Sequence, residues 1–168
     1  MKKYPKITFV SDSTPRALES KNICTKLYGN EPISNADVIV ALGGDGLMLR
    51  TIHRAMGKIP IFGMNVGTVG FLMNEFDSSR LPDRIKKSEK ISLHPLRMTV
   101  TKRDGSRRTA LAMNEVSLLR SSGQMAKVQI SIDKIVRLDT LFCDGVIVST
   151  AAGSSAYNLS AHGPILPL

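Results

Sequence analysis

The sequence predicts an α/β amino-terminal domain with a parallel sheet, followed by a β-rich antiparallel domain. Up to about Lys90, short continuous apolar runs alternate with helical patterns, which is typical of a parallel sheet with crossover helices. From about Ser92, apolar residues recur at every second position, which is typical of antiparallel strands. We therefore predict domains at 1–92 and 93–168.

The strands and helices of the first half are predicted from its apolar runs and from the residues that bound them. The runs "KITFV", "DVIVAL" and "IPIFGM" are continuous rather than alternating, so they predict strands buried on both faces. Between the first two, a helix should begin after Ser13 or Thr14, with Pro15 in its first turn and Gly29 as its stop. The next helix should bury an apolar stripe made of Leu49, Ile52, Ala55 and Met56.

The second half is predicted to consist of hairpins. Leu96, Met98 and Val100 alternate before a turn at "RDGS", and Val128, Ile130 and Ile132 alternate before "DK". The charged stretch "DSSRLPDRIKKSEK" between the halves is predicted to be a helix and a joint. We find no internal repeat.

Composition excludes several classes of protein. With 42% apolar residues the chain can build a core, and no apolar run reaches the roughly 20 residues of a membrane span. The apolar stretch near the amino terminus is too short for a signal peptide, so we predict a cytoplasmic protein without membrane attachment. Cys24 and Cys143 show no CxxC spacing and are predicted to be buried thiols rather than zinc ligands. The formal charge of +9 predicts affinity for anions.

The stretch "DVIVALGGDGLMLRTI" contains the residues that are predicted to be catalytic. At the end of a buried parallel strand, Gly43 and Gly44 permit a sharp turn and the close approach of an anion, and Gly46 opens a helix whose amino end attracts negative charge. Asp45 would repel phosphate unless Mg²⁺ or a substrate hydroxyl lies between them, as in phosphoryl transfer to an alcohol. We therefore predict that Asp45 is a general base. The alternative is a plain turn that uses Asp45 as a helix cap.

Three more stretches accompany this loop: "GMNVGTVGFL", "MNEV" and "CDGVIVSTAAGSSAYNLSAHGPILPL". In their order and spacing, the four together resemble the NAD kinase family over essentially the whole chain. The resemblance implies transfer of a phosphoryl group from ATP to the 2'-hydroxyl of the adenosine ribose of NAD, giving NADP, with Mg²⁺ or a similar divalent ion. It also implies a homo-oligomer, a dimer or tetramer, with the dinucleotide lying between the two domains.

The resemblance assigns roles to individual positions. Asp45 matches the catalytic base, Gly46 and Arg50 match neighbouring NAD contacts, and Gly43 and Gly44 belong to the phosphate loop. Asn114 and Glu115 match a pair that contacts adenosine, and Asp144 matches an aspartate near the nicotinamide. The run that closes on the adenosine matches Ser155, Ala156, Tyr157, Asn158, Leu159 and Ser160. From the residues alone, Arg50 could equally be a solvated helix charge.

Some positions depart from the family pattern. Ala152 lacks a hydroxyl that members usually carry, and Phe142 stands where many have an arginine, so that charge contact is expected to be lost. His162 stands where glycine is common, and a lone histidine beside "GP" is more often structural than catalytic. No departure touches Asp45.

Other readings remain at this point. A nucleic-acid-binding module would use the basic stretch "TKRDGSRR", but no aromatic residues are interleaved with it, so we predict no nucleic-acid partner. A serine hydrolase is excluded because "GSSAY" is not GxSxG. The serious competitor is another kinase that shares "GGDG", acting on a lipid or a sugar.

The resemblance to the family extends to the last residues of the chain. Family members continue for several dozen residues, so we expect the β-rich domain to be incomplete and the 168 residues to be a fragment, or a truncation that is inactive alone and keeps only nucleotide binding.

Overall fold

The computed structural model describes residues 4–67 and 70–168. Thr68 and Val69 of the second glycine-rich loop lie outside the described residues. The chain divides into two compact units, Met1–Ser92 and Leu93–Leu168.

The first unit is an α/β structure, as predicted. Its parallel sheet runs in the order β1-β2-β3-β4, and the strands are Ile7–Ser11, Val38–Gly43, Ile61–Asn65 and Asn74–Glu75. The accompanying α-helices α1, α2 and α3 are Pro15–Tyr28, Asp45–Ala55 and Leu81–Lys87, and a short 3-10 helix covers Ile33–Asn35.

Strand β2 is the centre of this unit, because all six of its residues are buried. One face of the sheet packs against α1 and α3 in a single core cluster: Ile7, Phe9, Cys24, Val38, Val40, Leu42, Phe62, Met64 and Leu81. Side chains alternate along a strand, so Gly43 and Gly63 belong to the other face. A Cβ at these two positions would contact Leu47 and Met48 of α2. The missing side chains therefore let α2 lie close to the sheet.

Helix α1 begins and ends as its sequence predicts. Thr14 is the N-cap, and its hydroxyl accepts a hydrogen bond from the amide of Ala17 at 3.3 Å. Pro15 occupies the first turn, and Gly29 ends the helix with φ of 75°. Of the two cysteines, Cys24 is fully buried, which raises the pKa of its thiol, whereas Cys143 is only half-buried.

The predicted stripe of α2 is partly wrong. Ala55 is buried as expected, but the other buried positions are Leu47 and Thr51. Met56 is 77% exposed, because the helix ends there in a left-handed conformation. The close approach of α2 at Gly43 makes Leu47 the inner residue, so the buried positions are Leu47, Thr51 and Ala55.

The predicted helical joint is α3, and it is tied to the first unit. The hydroxyl of Tyr28 donates to the carbonyl of Ser78 at 2.6 Å and accepts from the amide of Leu81 at 3.3 Å. The guanidinium of Arg84 donates to the carbonyls of Asp77 and Glu75. These bonds fix the chain that follows β4.

The second unit is built from antiparallel strand pairs, as predicted. Strand β5 pairs with β6, β8 with β9, and β7 with β10. Strands β5 to β10 are Leu96–Thr101, Arg107–Ala112, Glu115–Leu119, Ala126–Ile132, Ile135–Cys143 and Gly145–Ser149. A 3-10 helix at Ala152–Ser155 and the short helix α4 at Tyr157–Ser160 follow.

Both predicted hairpin turns are present. Gly105 has φ of 79° in the turn between β5 and β6. Asp133 and Lys134 have φ of 51° and 65° between β8 and β9. Positive φ at both central residues is the geometry that matches the twist of a two-residue hairpin.

Replacing Leu42 by alanine tests the assigned core. Leu42 is fully buried in the core cluster, so Leu42→Ala should lower the free energy of unfolding of the first unit by about 2–5 kcal/mol. The matched control is Leu27→Ala on α1, since Leu27 is 59% exposed. Urea denaturation followed by circular dichroism measures both. Equal midpoints for the two variants would contradict the assigned core.

Candidate active site

One group of candidate site residues, in the first unit, lies at the carboxyl ends of β1, β2 and β3, where parallel sheets commonly bind ligands. Strand β2 ends at Gly43, Gly44 is the N-cap of α2, and Asp45 is the first residue of that helix. Gly44 has an extended backbone (φ −110°, ψ −174°) that any residue can adopt, and no atom lies within 4 Å of a Cβ placed there. Glycine at this position therefore leaves open space beside the amino end of α2, where an anion is favoured.

Backbone amides hold the carboxylate of Asp45. The amide of Phe71 donates to Oδ2 at 2.8 Å, and the amide of Leu72 donates to Oδ1 at 3.1 Å. The side chain of Asp45 therefore faces the second glycine-rich loop and does not cap its own helix, for which the structure records no side-chain cap hydrogen bond. This geometry argues against the simple capping interpretation.

Arg50 forms an ion pair that the sequence analysis missed. Its Nη2 lies 2.6 Å from Oδ1 of Asp12, and the Arg50 side chain is 57% exposed. Asp12 directly follows β1, and its amide donates to the carbonyl of Leu42 at 3.1 Å. A Cβ at Gly43 would lie 2.6 Å from Oδ2 of Asp12, so the small residue makes room for this carboxylate. Since parallel strands end at one edge of a sheet, the position of Asp12 could have been inferred from that of Gly43.

The described part of the second glycine-rich loop is tied to the first loop. The amide of Val66 donates to the carbonyl of Gly43 at 3.1 Å, and the amide of Gly67 donates to the side chain of Asn65 at 2.8 Å. Gly46 is exposed, and a Cβ there would contact Nη1 of Arg50 at 3.4 Å. The first unit thus brings together Gly43, Gly44, Asp45, Gly46 and Arg50.

A second group of candidate site residues, in the second unit, lies where β7 begins and β10 ends. Glu115 opens β7 opposite Ser149, the last residue of β10. The carbonyl of Asn114 accepts from the amide of Thr150 at 2.8 Å, which fixes the backbone just before β7. Within residues 4–67 and 70–168, Oδ1 of Asn114 and Oε2 of Glu115 are buried and have no hydrogen-bond partner. Buried polar atoms are almost always paired, so these two oxygens can accept hydrogen bonds from a donor outside the described residues.

The run from Ala152 onward packs closely against this pair. A Cβ at Gly153 would collide with the backbone of Asn114, so glycine is needed for contact. Ser154 is buried, and its hydroxyl donates to the carbonyl of Ala151 and accepts from the amide of Leu166. The side-chain amide of Asn158 donates to the carbonyls of Ser154 and Pro164. The side-chain amide of Asn158 therefore stabilises the loop to which it belongs.

The remaining residues of this run are more accessible. Ser155 and Ala156 are half-buried between the 3-10 helix and α4, whereas Tyr157, Leu159 and Ser160 are exposed. His162 has φ of 63° at the turn after α4, and its amide donates to the carbonyl of Leu159. The structural role predicted for His162 stays a prediction.

Asp144 carries a charge partner that the sequence analysis did not find. Its Oδ1 accepts from Nε of Arg120 at 2.6 Å, and its carbonyl accepts from the Arg120 amide at 2.8 Å. Arg120, which directly follows β7, thus places a positive charge beside Asp144. Phe142 itself lies against Lys127, whose Nζ is 5.4 Å from the ring centre. The β7–β10 pairing, which was not predicted, is the signal that would have revealed Arg120.

The described part of the chain holds neither a membrane-spanning helix nor a ready-made metal site. None of its helices is long and apolar enough to cross a membrane. Nor do three or more His, Cys, Asp or Glu side chains gather there in a way that could hold a metal ion.

Known proteins resemble this chain in both halves. Family models for the ATP-NAD kinase N-terminal and C-terminal domains match residues 8–90 and 113–167. The chain is 50% identical to the NAD kinase of Hyphomonas neptunium, in a match that covers 97% of this chain and 64% of that relative. It is 52% identical to the NAD kinase of Brucella suis, in a match that covers 95% of this chain and 63% of that relative. The chain thus spans somewhat less than two thirds of the length of these relatives.

Two solved structures have the same fold. The match to a yeast NADH kinase complexed with NADH covers 99% of this chain and 63% of that protein. Its TM-score is 0.69, and the sequence identity is 23%. The match to an Archaeoglobus fulgidus NAD kinase in complex with ATP covers 95% of this chain and 66% of that protein. Its TM-score is 0.64, and the sequence identity is 30%. Because consecutive family models cover most of the sequence, the chain belongs to the ATP-NAD kinase family.

Proposed function

We propose that the protein transfers a phosphoryl group from ATP to the 2'-hydroxyl of the adenosine ribose of NAD, giving NADP. The observation that carries the proposal is the position of Asp45, a carboxylate oriented by two backbone amides beside the open space at Gly44. The names of the relatives supply the substrate, since proteins about half identical to this chain are NAD kinases.

Asp45 acts as the general base in this proposal. Its carboxylate accepts the proton of the 2'-hydroxyl while the hydroxyl oxygen bonds to the γ-phosphorus. The bond from that phosphorus to the bridging oxygen breaks, and ADP leaves. The amino end of α2 and the open space at Gly44 favour the phosphate charge.

Asn114 and Glu115 bind the adenosine part of NAD. An amide oxygen accepts from the exocyclic amine of adenine, and a carboxylate oxygen accepts from ribose hydroxyls. The two buried atoms without partners in the described chain, Oδ1 of Asn114 and Oε2 of Glu115, are of the required chemical type. Ser155 to Ser160 close on the adenosine, with Tyr157 offering a flat face and a polar tip.

Asp144 contacts the nicotinamide end, and Arg120 holds its carboxylate in place. A carboxylate has about four lone-pair sites, so Oδ2 can accept a hydrogen bond from the ligand while Oδ1 is paired with Arg120. The Asp144 side chain is 73% exposed in its present state, which leaves it accessible to a ligand.

Replacing Arg120 tests this arrangement. The pair is partly exposed, so Arg120→Ala should raise the KM for NAD only a few-fold, the value of an exposed ion pair, with kcat nearly unchanged. Asp144→Asn and the double variant complete a mutant cycle in which the two effects are not additive. The exposed Arg137→Ala is the control for the loss of positive charge. Additive effects on KM would show that Arg120 does not act through Asp144.

A divalent ion, with Mg²⁺ as the first choice, accompanies ATP. Mg²⁺ in kinases is commonly held by substrate phosphates, water and one or two carboxylates, so it does not require a protein cage. Asp45 belongs to the glycine loop and Asp12 lies beside Gly43, so these two carboxylates would hold the ion. The ion would neutralise charge on the transferred phosphate.

The protein forms a homo-oligomer, a dimer or tetramer. Large apolar side chains on the strands of the second unit are exposed, among them Leu118, Leu119 and Phe142 at 64%, 70% and 56%. Exposed apolar patches and strand edges favour association. Light scattering after size exclusion measures the mass, and a monomer over a wide concentration range would contradict this part of the proposal.

An acceptor panel tests the proposed function. With ATP and Mg²⁺, the protein should phosphorylate NAD in preference to diacylglycerol and sugar phosphates, and NADH and polyphosphate can be compared as alternative acceptor and donor. Faster turnover of a lipid or sugar would make the chain another kinase of the "GGDG" superfamily. NAD binding without turnover would contradict the catalytic proposal and support nucleotide binding alone.

A further inference from the structure

The second glycine-rich loop contacts the carboxylate of Asp45 through two consecutive backbone amides. The amide of Phe71 donates to Oδ2 at 2.8 Å and that of Leu72 donates to Oδ1 at 3.1 Å. Consecutive amides that converge on one anion form a concave donor site. Each oxygen receives one bond, so the plane of the carboxylate is fixed as well as its position.

The preceding residue makes room for this contact. A Cβ at Gly70 would lie 2.9 Å from Oδ1 of Asp45, a distance that Cβ atoms do not tolerate. It would also lie 3.1 Å from Cγ of Met73, whose sulfur is packed against Gly63. Met73 therefore has little room to yield, and any side chain at residue 70 would displace the carboxylate.

The contact leaves the chemistry of a base available. An ionised carboxylate offers about four lone-pair sites, and the two amides occupy one on each oxygen. The remaining sites can accept the proton of a hydroxyl. Phosphoryl transfer depends mainly on positioning and on electrostatic stabilisation, so a fixed carboxylate serves it better than a mobile one.

We infer that Gly70, Phe71 and Leu72 form a positioning segment that aims Asp45 at the acceptor hydroxyl. The inference rests on the proposed function, in which Asp45 is the general base. The positioning segment does not contact the reacting atoms; it acts through Asp45. Its requirement is for backbone amides and for the absence of a side chain at residue 70.

A purely structural link between the two loops would have a different signature. Such a link would change stability, or the binding of both nucleotides, when it is broken. A positioning segment changes kcat and leaves the KM for NAD nearly constant, because the substrate contacts lie elsewhere.

The experiment compares Gly70→Ala with Gly123→Ala, two identical changes in different surroundings. No atom lies within 4 Å of a Cβ at Gly123, so that variant should behave as the unmodified protein. Gly70→Ala should lower kcat by about 10²-fold, the effect of displacing a catalytic group by about 1 Å, and change the KM for NAD less than about threefold. Unchanged kcat in folded Gly70→Ala would overturn the inference, and so would a change confined to KM.

Hydrogen exchange supplies a second readout that does not need turnover. Amide exchange can be followed by NMR, or by mass spectrometry of peptides that contain Phe71 and Leu72. In Asp45→Ala the amides of Phe71 and Leu72 should exchange about tenfold faster or more, because each loses a hydrogen bond to a charged acceptor. Unchanged exchange would overturn the positioning segment even if Gly70→Ala failed to fold. A chain that does not phosphorylate NAD would overturn the proposed function, and the exchange rates would then decide the positioning segment on their own.

Discussion

Asp45→Asn is expected to lower the turnover of NAD by about 10²–10⁴-fold, the range associated with the loss of a general base. The amide side chain that replaces the carboxylate cannot take the proton of the 2'-hydroxyl. The KM for NAD should stay within a few-fold of its original value, because adenosine is assigned to Asn114 and Glu115. Steady-state kinetics with ATP in excess measure both quantities.

The geometry gives this substitution a second consequence. Asn has one oxygen and one NH₂ group in place of two oxygens, so one backbone amide, that of Phe71 or of Leu72, must face another donor. One hydrogen bond is then lost and the side chain turns away. Asp45→Asn therefore removes both the base and its orientation, and its effect should exceed that of Gly70→Ala.

The matched control is Asp133→Asn. Asp133 lies in the exposed turn between β8 and β9 with φ of 51°, a conformation that asparagine readily adopts. This variant makes the same chemical change at a residue outside both glycine loops, so its kinetics should equal those of the original chain. Near-normal turnover in folded Asp45→Asn would remove Asp45 from the proposed mechanism.

The fold could be predicted from the sequence wherever local signals and burial agree. The run Val38 to Leu42 is apolar on both faces because the strand is central in the sheet and buried on both sides. Thr14 and Gly29 bound α1 because a hydroxyl cap and a left-handed stop are local requirements. The same holds for the turn at Gly105.

The predicted buried face of α2 was partly wrong because the orientation of the helix on the sheet depends on tertiary contacts. Periodicity identifies a helix with an apolar stripe, but the stripe that is buried depends on where the helix approaches its neighbour. Gly43 admits Leu47, and this contact orients α2 so that Thr51 rather than Ile52 faces inward. The hydroxyl of Thr51 is compatible with burial because it donates to the carbonyl of Leu47 at 2.7 Å.

Important features of the candidate site were also invisible in the sequence. The contacts to Asp45 come from backbone amides, which every residue type except proline carries, so the residue letters do not reveal them. The partners of Arg50 and Asp144 directly follow the strands β1 and β7, so their positions depend on strand order and pairing. The motif "MNEV" gave the residue types at Asn114 and Glu115 but not the burial of their oxygens.

Those buried oxygens lead to the second large effect, which is expected for Glu115→Ala. If Oε2 of Glu115 accepts a hydrogen bond from a ribose hydroxyl, its loss should raise the KM for NAD by about 10–100-fold, the value of a buried hydrogen bond to a charged group. The ATP dependence should change little, because the carboxylate is assigned to the acceptor. The exposed Glu89→Ala is the control for the loss of a negative charge.

Glu115→Ala should weaken NAD binding without lowering the stability of the ligand-free protein. Without a ligand, Oε2 is buried and has no partner in the described chain, and an unpaired buried polar atom costs free energy. Removing it should therefore leave the free energy of unfolding of the ligand-free protein unchanged or raise it, whereas a residue that holds the fold together would lower it when removed. Urea denaturation with and without NAD separates the two cases, since a ligand that binds only the folded state stabilises it. Loss of stability without NAD would show that Glu115 serves the fold, and a shift in the ATP dependence alone would show that it serves the other nucleotide.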